Sequence, residues 1–377
     1  MSAKNKSSNI HNVGQLLIVG FDGTEITRRL SSLLTRLQPA GVILFARNIT
    51  GAEQTWRLLE DCQKCVTTQL FACVDLEGGR VDRFRDVLGP APSAADVFAT
   101  GDRKLFRRHG QIIGECCRAL GFNTDFAPSV DLAFEASRTV MGSRAVSDDP
   151  QKVVSYAREF LRGLRAAGVM GCGKHFPGLG EANFDTHREL PSVSKSFRRL
   201  WNEDLAPYRA LRRDFPMVMI SHAAYPAVTR ASTPASLSQK WITDVLKKKI
   251  GYRGLIVSDD LEMKAVLTAA SIGDAAVGHI GAGGDLCLIC HREDYIRQAY
   301  EQLVETAARD RKFARRVEEA AERVMAVKNR SKELKSKAKL RSAGSTDRLS
   351  RKLWEFGEQV RLQVLNRVES ARRRLRT

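Results

Sequence analysis

Residues 254–260 read Gly-Leu-Ile-Val-Ser-Asp-Asp, a short apolar run that ends in two adjacent carboxylates. Such a run predicts a buried β-strand, because strands covered on both faces lose the alternation of apolar and polar residues. Ligands of α/β proteins bind at the C-terminal ends of such strands, so we expect one carboxylate to face a site. The alternative is that Asp259 and Asp260 cap a helix beginning at Leu261, a role that suits Asp260 better because it is nearer that helix.

Seven further apolar runs of this kind recur at fairly even intervals. The segments between them are long enough for a helix, and residues 153–164 have apolar positions with helical periodicity. Strands that alternate with helices indicate a parallel sheet. Eight such units predict an α/β fold of the (β/α)8 TIM-type barrel class, whereas an open doubly wound sheet usually has fewer strands. The eight runs are residues 16–19, 41–45, 70–74, 123–126, 169–172, 217–220, 255–257 and 286–289.

Polar side chains follow most of the predicted strands. In a barrel these groups would converge at the C-terminal face, where barrel enzymes carry out their chemistry. Taken singly, the arginines among them are equally consistent with surface charges. The groups are Arg47 and Asn48 after the second strand, residues 75–83 after the third, Asp131 after the fourth, Lys174 and His175 after the fifth, His222 after the sixth, and Ser258 and Asp259 after the seventh.

One Gly- and Pro-rich stretch contains a cation, two imidazoles and a carboxylate. It comprises residues 174–178, Lys-His-Phe-Pro-Gly, and residues 185–187, Asp-Thr-His. In an extended loop, residues i and i+2 point the same way, so Asp185 can accept the Nδ1–H of His187 and leave Nε2 to exchange protons. An Asp-x-His pair is also typical of solvated loops. A second reactive group, Asp259, makes this pair a candidate for catalysis.

The overall composition is that of a soluble globular protein. The chain has 377 residues, of which 43% are hydrophobic and 28% charged. Its apolar runs are far shorter than the roughly 18 residues that a membrane span needs, and the amino terminus has no apolar signal-peptide region. These observations predict a cytoplasmic protein.

Eight cysteines include two Cys-x-x-Cys pairs, a spacing found in zinc sites and redox motifs. Cys62 and Cys65 fall in a helical pattern, whereas Cys287 and Cys290 lie in a strand-like run. We therefore predict buried, reduced thiols and no metal site, in agreement with a reducing compartment.

The positive charge is concentrated at the C-terminal end. Residues 328–377 contain 16 Lys and Arg against 5 Asp and Glu, which is +11 of the chain's net +18. We divide the chain into a polar N-terminal segment (1–11), a barrel domain (12–327) and a basic extension (328–377), in which residues 342–347 are expected to form a linker.

The extension also contains an apolar stripe: Leu349, Leu353, Phe356, Val360, Val364, Val368, Ala371 and Leu375 recur every three or four residues. This spacing predicts an amphipathic helix with a basic opposite face. Three alternatives follow for that helix: reversible docking on an anionic membrane surface, self-association with another subunit, or packing on the barrel. No nucleic-acid partner is expected, because base-reading motifs are missing.

Five motifs, in their order along the chain, resemble those of glycoside hydrolase family 3, and specifically its NagZ-type β-N-acetylhexosaminidases. The similarity covers about residues 12–327 and keeps the spacing of the loops. The motifs are Gly-Val-Ile-Leu-Phe-Ala-Arg-Asn at 41–48, Asp-Leu-Glu-Gly-Gly-Arg-Val-Asp-Arg at 75–83, Lys-His-Phe-Pro-Gly at 174–178, Asp-Thr-His at 185–187 and Ser-Asp-Asp-Leu at 258–261.

The resemblance implies a retaining, metal-independent glycosidase, and we expect no cofactor. It implies that Asp259 is the nucleophile of a covalent glycosyl-enzyme and that His187, oriented by Asp185, is the general acid/base. Single-domain cytoplasmic members release N-acetylglucosamine from anhydromuramoyl fragments during cell-wall recycling. The residues expected to grip the sugar are Asp75, Arg83, Arg144, Lys174 and His175.

The chain departs from the family pattern near the site. Leu179 replaces a second His, Leu76 replaces a Gln, and Ala145-Val146 stand where Ser and an aromatic residue are common. These departures affect substrate detail rather than the reaction class. Three alternatives to the glucosaminidase are another family 3 exo-glycosidase, a non-catalytic sugar-binding protein, and a phosphorylase. An imidazole acid/base leaves the last of these open, because it repels phosphate less than a carboxylate would.

Overall fold

The computed structural model describes residues 13–182, 190–336 and 342–374. Eight parallel strands close into a barrel, which confirms the predicted (β/α)8 architecture, and a two-stranded hairpin stands beside it. The barrel strands are β1 (Leu17–Val19), β2 (Gly41–Ile43), β3 (Phe71–Val74), β6 (Thr124–Asp125), β7 (Met170–Phe176), β8 (Met217–Ile220), β9 (Leu255–Asp260) and β10 (Leu286–Ile289), and the hairpin strands are β4 (Leu76–Gly78) and β5 (Val81–Asp82).

The barrel strands follow one another around the barrel in chain order, and β1 closes it by pairing with β10 through Ile18 and Leu288. Helices cover the outside. The longer ones are α1 (Arg28–Leu37), α2 (Ala52–Lys64), α3 (Arg103–Ala119), α4 (Pro150–Ala166), α5 (Lys240–Lys249, with π-type hydrogen bonding), α6 (Ile272–Gly281), α7 (Glu293–Arg309), α8 (Arg311–Arg330) and α9 (Ala343–Arg374).

Shorter helical turns occur mainly in the loops between these elements. They are Ala46–Asn48, Arg85–Leu88, Ala94–Ala99, Glu135–Ser137, Arg138–Met141, Gly142–Arg144, Phe197–Asn202, Ala206–Ala210, Pro226–Thr229, Ala235–Leu237, Lys264–Leu267 and Lys332–Lys335.

Successive side chains of a barrel strand point alternately into the barrel interior and toward the outer helices, because side chains alternate between the two faces of a strand. In β1, Ile18 points into the barrel interior, whereas Leu17 and Val19 pack under the outer helices. The periodicity predicted for residues 153–164 is confirmed in α4. Asp149 caps this helix by accepting the N–H of Gln151, and its apolar face is buried.

Two strands are longer than the sequence predicted, and this changes the setting of the site. β7 runs on to Phe176, which pairs with Ile220, so Lys174 and His175 lie within the strand. β9 includes Asp259 and Asp260, because Asp260 pairs with Leu288 of β10. Irregular register at both places lets polar residues join the ends of the strands.

The capping interpretation of Asp259 and Asp260 was wrong. The next helix begins at Lys264 rather than Leu261, and Met263 precedes it. The Asp260 carboxylate instead accepts the N–H of Glu262, which holds the chain in a turn before the helix can start.

The C-terminal extension forms the predicted helix, α9, but residues 343–347 belong to it rather than to a linker. The first half of the stripe packs on the barrel: Leu349, Leu353, Phe356 and Val360 are each less than 5% exposed. Phe356 stacks on His109 of α3, with 5.9 Å between ring centroids. The predicted boundary at residue 327 falls inside α8, which continues to Arg330.

The eight thiols are unpaired, and seven of them are buried. Cys62 lies in α2 with Cys65 at the end of that helix, and Cys287 lies in β10 just before Cys290. Burial raises the pKa of both Cys62 and Cys287 well above the usual thiol range. In the part of the chain that the structure describes, no helix combines the length and apolar character needed to cross a membrane.

Candidate active site

A cavity of about 270 Å³ opens at the C-terminal ends of the barrel strands. Six of the eight predicted site residues line it: Asp75, Arg83, Arg144, Lys174, His175 and Asp259. The other two, Asp185 and His187, lie outside the described residues. The remaining walls are formed by Phe45, Glu77, Val81, Met219, Asp260, Met263, Leu288 and Cys290.

A network of opposite charges fixes the floor of this cavity. Lys174 Nζ lies 2.7 Å from Asp75 Oδ1 and 2.7 Å from Glu77 Oε1. Arg144 donates two hydrogen bonds to Glu77, at 2.7 and 2.8 Å. Burial alone would raise the pKa of Glu77, but the two cations outweigh it and hold that pKa well below the usual range.

The same balance acts on Lys174. Burial would lower its pKa, yet Asp75 and Glu77 raise it above the usual lysine range. Lys174 therefore stays protonated at all physiological pH values. A permanently charged ammonium in a fixed position can donate hydrogen bonds to hydroxyl groups of a bound sugar.

The hairpin β4–β5 brings Glu77 to this network. The chain reverses through Gly78 and Gly79, whose φ values are +80° and +62°. Pro92 O lies 2.1 Å from the position that a side chain at Gly78 would take, so only glycine fits the turn. No strand was predicted between residues 75 and 83, so this hairpin was not expected from the sequence.

His175 is oriented by a carboxylate that was not among the predicted site residues. Asp131 is 2% exposed, and its Oδ2 accepts both the backbone N–H of His175, at 3.1 Å, and the ring Nδ1, at 2.7 Å. Burial would raise the pKa of Asp131, but His175 and the N–H of Leu179 lower it. The other ring nitrogen, Nε2, lies 3.3 Å from Arg144 Nη2.

Asp259 and Asp260 are neighbours at the end of β9, but the pKa of Asp259 is lowered whereas that of Asp260 is raised. Asp259 Oδ1 accepts the N–H of Asp260 at 2.9 Å. Burial would raise the pKa of Asp259, but the imidazoles of His175 and His222 and the Asp260 N–H lower it below the usual value. Burial raises the pKa of Asp260 to about 7. Asp259 is thus the more readily ionised carboxylate of the pair, and ionised is the state in which a carboxylate can act as a nucleophile.

The mouth of the cavity is aromatic and cationic. Phe45 stacks on His291 with 5.3 Å between ring centroids, and the guanidinium groups of Arg47 and Arg83 lie 4.7 and 5.5 Å from the Phe45 centroid. Met263, which is 42% exposed, borders the same opening. Arg80, by contrast, is an exposed residue that donates to Thr139 O, so it takes no part in the cavity.

The segment that leads toward Asp185 and His187 is held by buried contacts. Asp131 Oδ1 accepts the N–H of Leu179 at 2.7 Å, and Tyr225 donates its hydroxyl to Gly178 O at 2.7 Å. Leu179, where the family usually has His, packs with a hydrophobic cluster.

Comparison with known proteins agrees with this geometry. The model of the glycosyl hydrolase family 3 N-terminal domain matches residues 10–327. The chain belongs to glycoside hydrolase family 3. It is therefore a glycoside hydrolase, and its barrel is the catalytic fold of that family.

Relatives of this hydrolase include a β-hexosaminidase from Xanthomonas campestris pv. campestris, 37% identical over 285 residues, which are 74% of this chain and 85% of the relative. A β-hexosaminidase from Stenotrophomonas maltophilia is 35% identical over 285 residues, which are 74% of this chain and 84% of that relative.

Solved structures of the family superpose on the hydrolase. A β-N-acetylglucosaminidase from Paenibacillus sp. FPU-7 gives a TM-score of 0.84 at 32% identity, covering 95% of this chain and 69% of that one. Native NagZ from Neisseria gonorrhoeae gives 0.71 at 28% identity, covering 89% and 97%.

Sequence reasoning missed Glu77, Asp131 and Phe45 as site residues, although two of them carried a signal. Glu77 lies two residues after Asp75, so both could reach one face of the loop. Asp131 follows the fourth strand, at the rim where polar groups were expected. Phe45 ends an apolar run and carries no signal that separates it from a core residue.

Proposed function

We propose that this hydrolase is a retaining exo-β-N-acetylglucosaminidase that acts on N-acetylglucosamine-containing fragments of peptidoglycan in cell-wall recycling. The observation that carries the proposal is Asp259: an ionised carboxylate held at the cavity beside His175, His222 and Lys174. The β-hexosaminidase and β-N-acetylglucosaminidase relatives support the sugar, and the NagZ-type motifs support the peptidoglycan source.

In the first step, Asp259 attacks the anomeric carbon and His187 protonates the departing glycosidic oxygen. In the second step, His187 removes a proton from water, which attacks the same carbon and releases Asp259. Two displacements retain the anomeric configuration. The role that this mechanism gives to Asp185 is to accept the Nδ1–H of His187, which keeps Nε2 available for proton transfer.

Five charged or polar side chains hold the sugar in this proposal. Lys174 and Arg144, fixed by Glu77, donate to hydroxyl and N-acetyl oxygens, and Asp75 accepts from hydroxyl groups. His175 is turned toward the sugar by Asp131, and Arg83 reaches it from the cavity mouth. Because Asp75, Lys174, Arg144 and His175 are already held by ion pairs and hydrogen bonds, these four groups need little reorganisation when the substrate binds.

Phosphorolysis is the second candidate. The imidazole of His187 takes the place of the second carboxylate that most retaining glycosidases use, so one negative charge fewer opposes an incoming phosphate. The covalent intermediate would be the same, and phosphate would replace water in the second displacement.

The test compares p-nitrophenyl β-glycosides of N-acetylglucosamine, glucose and xylose, each with and without phosphate. We expect the N-acetylglucosaminide to be cleaved with much the highest kcat/KM, with no sugar phosphate formed. A preference for glucoside would indicate another exo-glycosidase, and N-acetylglucosamine 1-phosphate would indicate a phosphorylase. No turnover of any substrate, with sugar binding retained, would leave a non-catalytic binding protein.

A further inference from the structure

A basic recess of about 400 Å³ opens on the outer wall of the barrel, and none of its lining residues lines the cavity at the strand ends. Helices α3, α4 and α9 line it. Its charged walls are Arg103, Lys104, Arg107 and Arg108 of α3, Glu159 of α4 and Lys352 of α9.

The cations of this recess outnumber the anions. Arg103, Arg107 and Arg162 all pair with the single carboxylate of Glu159, at 3.3, 2.7 and 2.7 Å. Within the described chain, neither Lys104 nor Arg108 has a carboxylate partner within 4 Å. The recess therefore keeps a surplus of positive charge, which attracts an anion.

Helix α9 carries both a wall of this recess and an apolar surface. Trp354, Leu362, Leu365 and Val368 are 65%, 51%, 48% and 45% exposed, respectively, although the opposite face of the helix is buried against the barrel. Four large apolar side chains exposed on one helix are unusual for a surface that contacts only water.

Cations are interspersed with this apolar row. Arg351 lies three residues before Trp354, and Arg372 lies four residues after Val368. Arg361 lies four residues before Leu365 and pairs with Glu358 at 2.7 Å. Residues at these spacings are neighbours on a helix surface. The outer side of α9 thus combines an indole, aliphatic side chains and guanidinium groups, the combination found in helices that lie in a membrane interface.

We propose that the basic recess and the exposed row of α9 dock this protein on a membrane surface that contains anionic phospholipid. Headgroup phosphates occupy the recess, and Trp354, Leu362 and Leu365 enter the boundary between headgroups and acyl chains. A second copy of the chain is a poorer occupant, because a symmetric contact through this face would bring two positively charged recesses together.

The experiment is co-sedimentation of the full-length protein with vesicles of phosphatidylcholine alone and of phosphatidylcholine mixed with phosphatidylglycerol. We expect binding to the mixed vesicles only, with a blue shift of tryptophan emission that disappears in Trp354→Phe. Binding should weaken as salt rises, because exposed charges are screened over a Debye length of about 8 Å at physiological ionic strength.

Two variants test the contributions of the exposed row of α9 and of the basic recess separately. The triple variant Trp354→Ala, Leu362→Ala, Leu365→Ala should lower the partition coefficient by on the order of a hundredfold. The double variant Lys104→Gln, Arg108→Gln should lower it by about tenfold. The matched control is Lys240→Gln, Lys312→Gln, which removes two exposed cations from other helices and should bind as wild type does.

Three results would overturn the proposal: no binding to either vesicle, equal loss of binding in the control, or binding by the triple variant at the wild-type level. A dimer in solution that the triple variant converts to a monomer, without vesicle binding, would make a second copy the occupant. The far-UV circular dichroism and melting temperature of every variant should match those of wild type, which shows that they are folded and keeps this test independent of the proposed function.

Discussion

Glu77 and Arg144 form a bidentate ion pair beneath the sugar cavity, with N–O distances of 2.7 and 2.8 Å and side chains only 4% and 14% exposed. The pair is buried, so each ion depends on the other and on Lys174 for its stability. The hairpin that carries Glu77 thus sets the position of the arginine that we expect to contact the substrate.

Glu77→Gln keeps the shape of this side chain and removes its charge. We expect the free energy of unfolding to fall by about 3 kcal/mol, because two buried cations lose a partner, and kcat/KM to fall by on the order of a hundredfold. Chemical denaturation and steady-state kinetics measure the two effects. The control is Glu135→Gln, whose ion pair with Arg138 is exposed and should change stability by less than about 0.5 kcal/mol.

Asp259→Asn should remove nearly all turnover, on the order of a thousandfold or more, because an amide cannot form the glycosyl ester. The melting temperature should remain close to that of wild type, since the amide fits the same space. Asp260→Asn provides the comparison. If that variant lost more activity than Asp259→Asn, the nucleophile would be Asp260.

The raised pKa of Asp260 should make the stability of the protein depend on pH. Its pKa is about 7 in the folded protein and about 4 in an unfolded chain. The folded protein binds the proton of Asp260 more tightly than the unfolded chain does. The stability that this proton contributes is fully present below about pH 4 and is lost as the pH rises through about 7.

Asp260→Asn should therefore be more stable than wild type at pH 8, and the difference should shrink toward zero or reverse at pH 4. Melting curves of both proteins across this range measure it. A constant difference between the two proteins at every pH would contradict the raised pKa.

His187→Ala tests the general acid. Glycosides with a poor leaving group need a proton on the departing oxygen, whereas activated aryl glycosides do not, so the variant should lose far more activity on the former. The measurement is kcat/KM for an N-acetylglucosamine disaccharide and for the p-nitrophenyl glycoside. Equal losses on the two substrates would remove His187 from this role.

Phe356→Ala tests how α9 is attached to the barrel. The ring is fully buried against His109, so its removal should cost about 3–5 kcal/mol of stability. Trp354→Ala, two residues away on the exposed side, should cost less than about 0.5 kcal/mol. Similar effects of the two substitutions in denaturation experiments would mean that the helix does not pack as described.

The sequence predicted the barrel well because each buried parallel strand is a short apolar run, and eight of them recur with helix-length spacing. It predicted the ends of β7 and β9 poorly. Lys174, His175, Asp259 and Asp260 are polar, and an apolar run cannot indicate that such residues still pair with a neighbouring strand.

Contacts between particular side chains could not be predicted from the sequence either. Asp75, Lys174 and Asp259 were predicted to meet because each follows a strand of one barrel. The contact of Asp131 with His175 depends on distances across 44 residues of chain, which no local pattern encodes. The charge difference between Asp259 and Asp260 likewise depends on the groups that surround each carboxylate.

The folded unit of this protein extends beyond the residues that match the family model, because α9 buries Leu349, Leu353, Phe356 and Val360. The match to the family model ends at residue 327, but the apolar surface of the barrel is not covered until α9 has folded onto it. A protein shortened to residues 10–327 would keep every residue that lines the cavity, but it would expose the apolar surface that α9 covers. We expect that shortened chain to aggregate, because the apolar surface that α9 covers would be exposed to water.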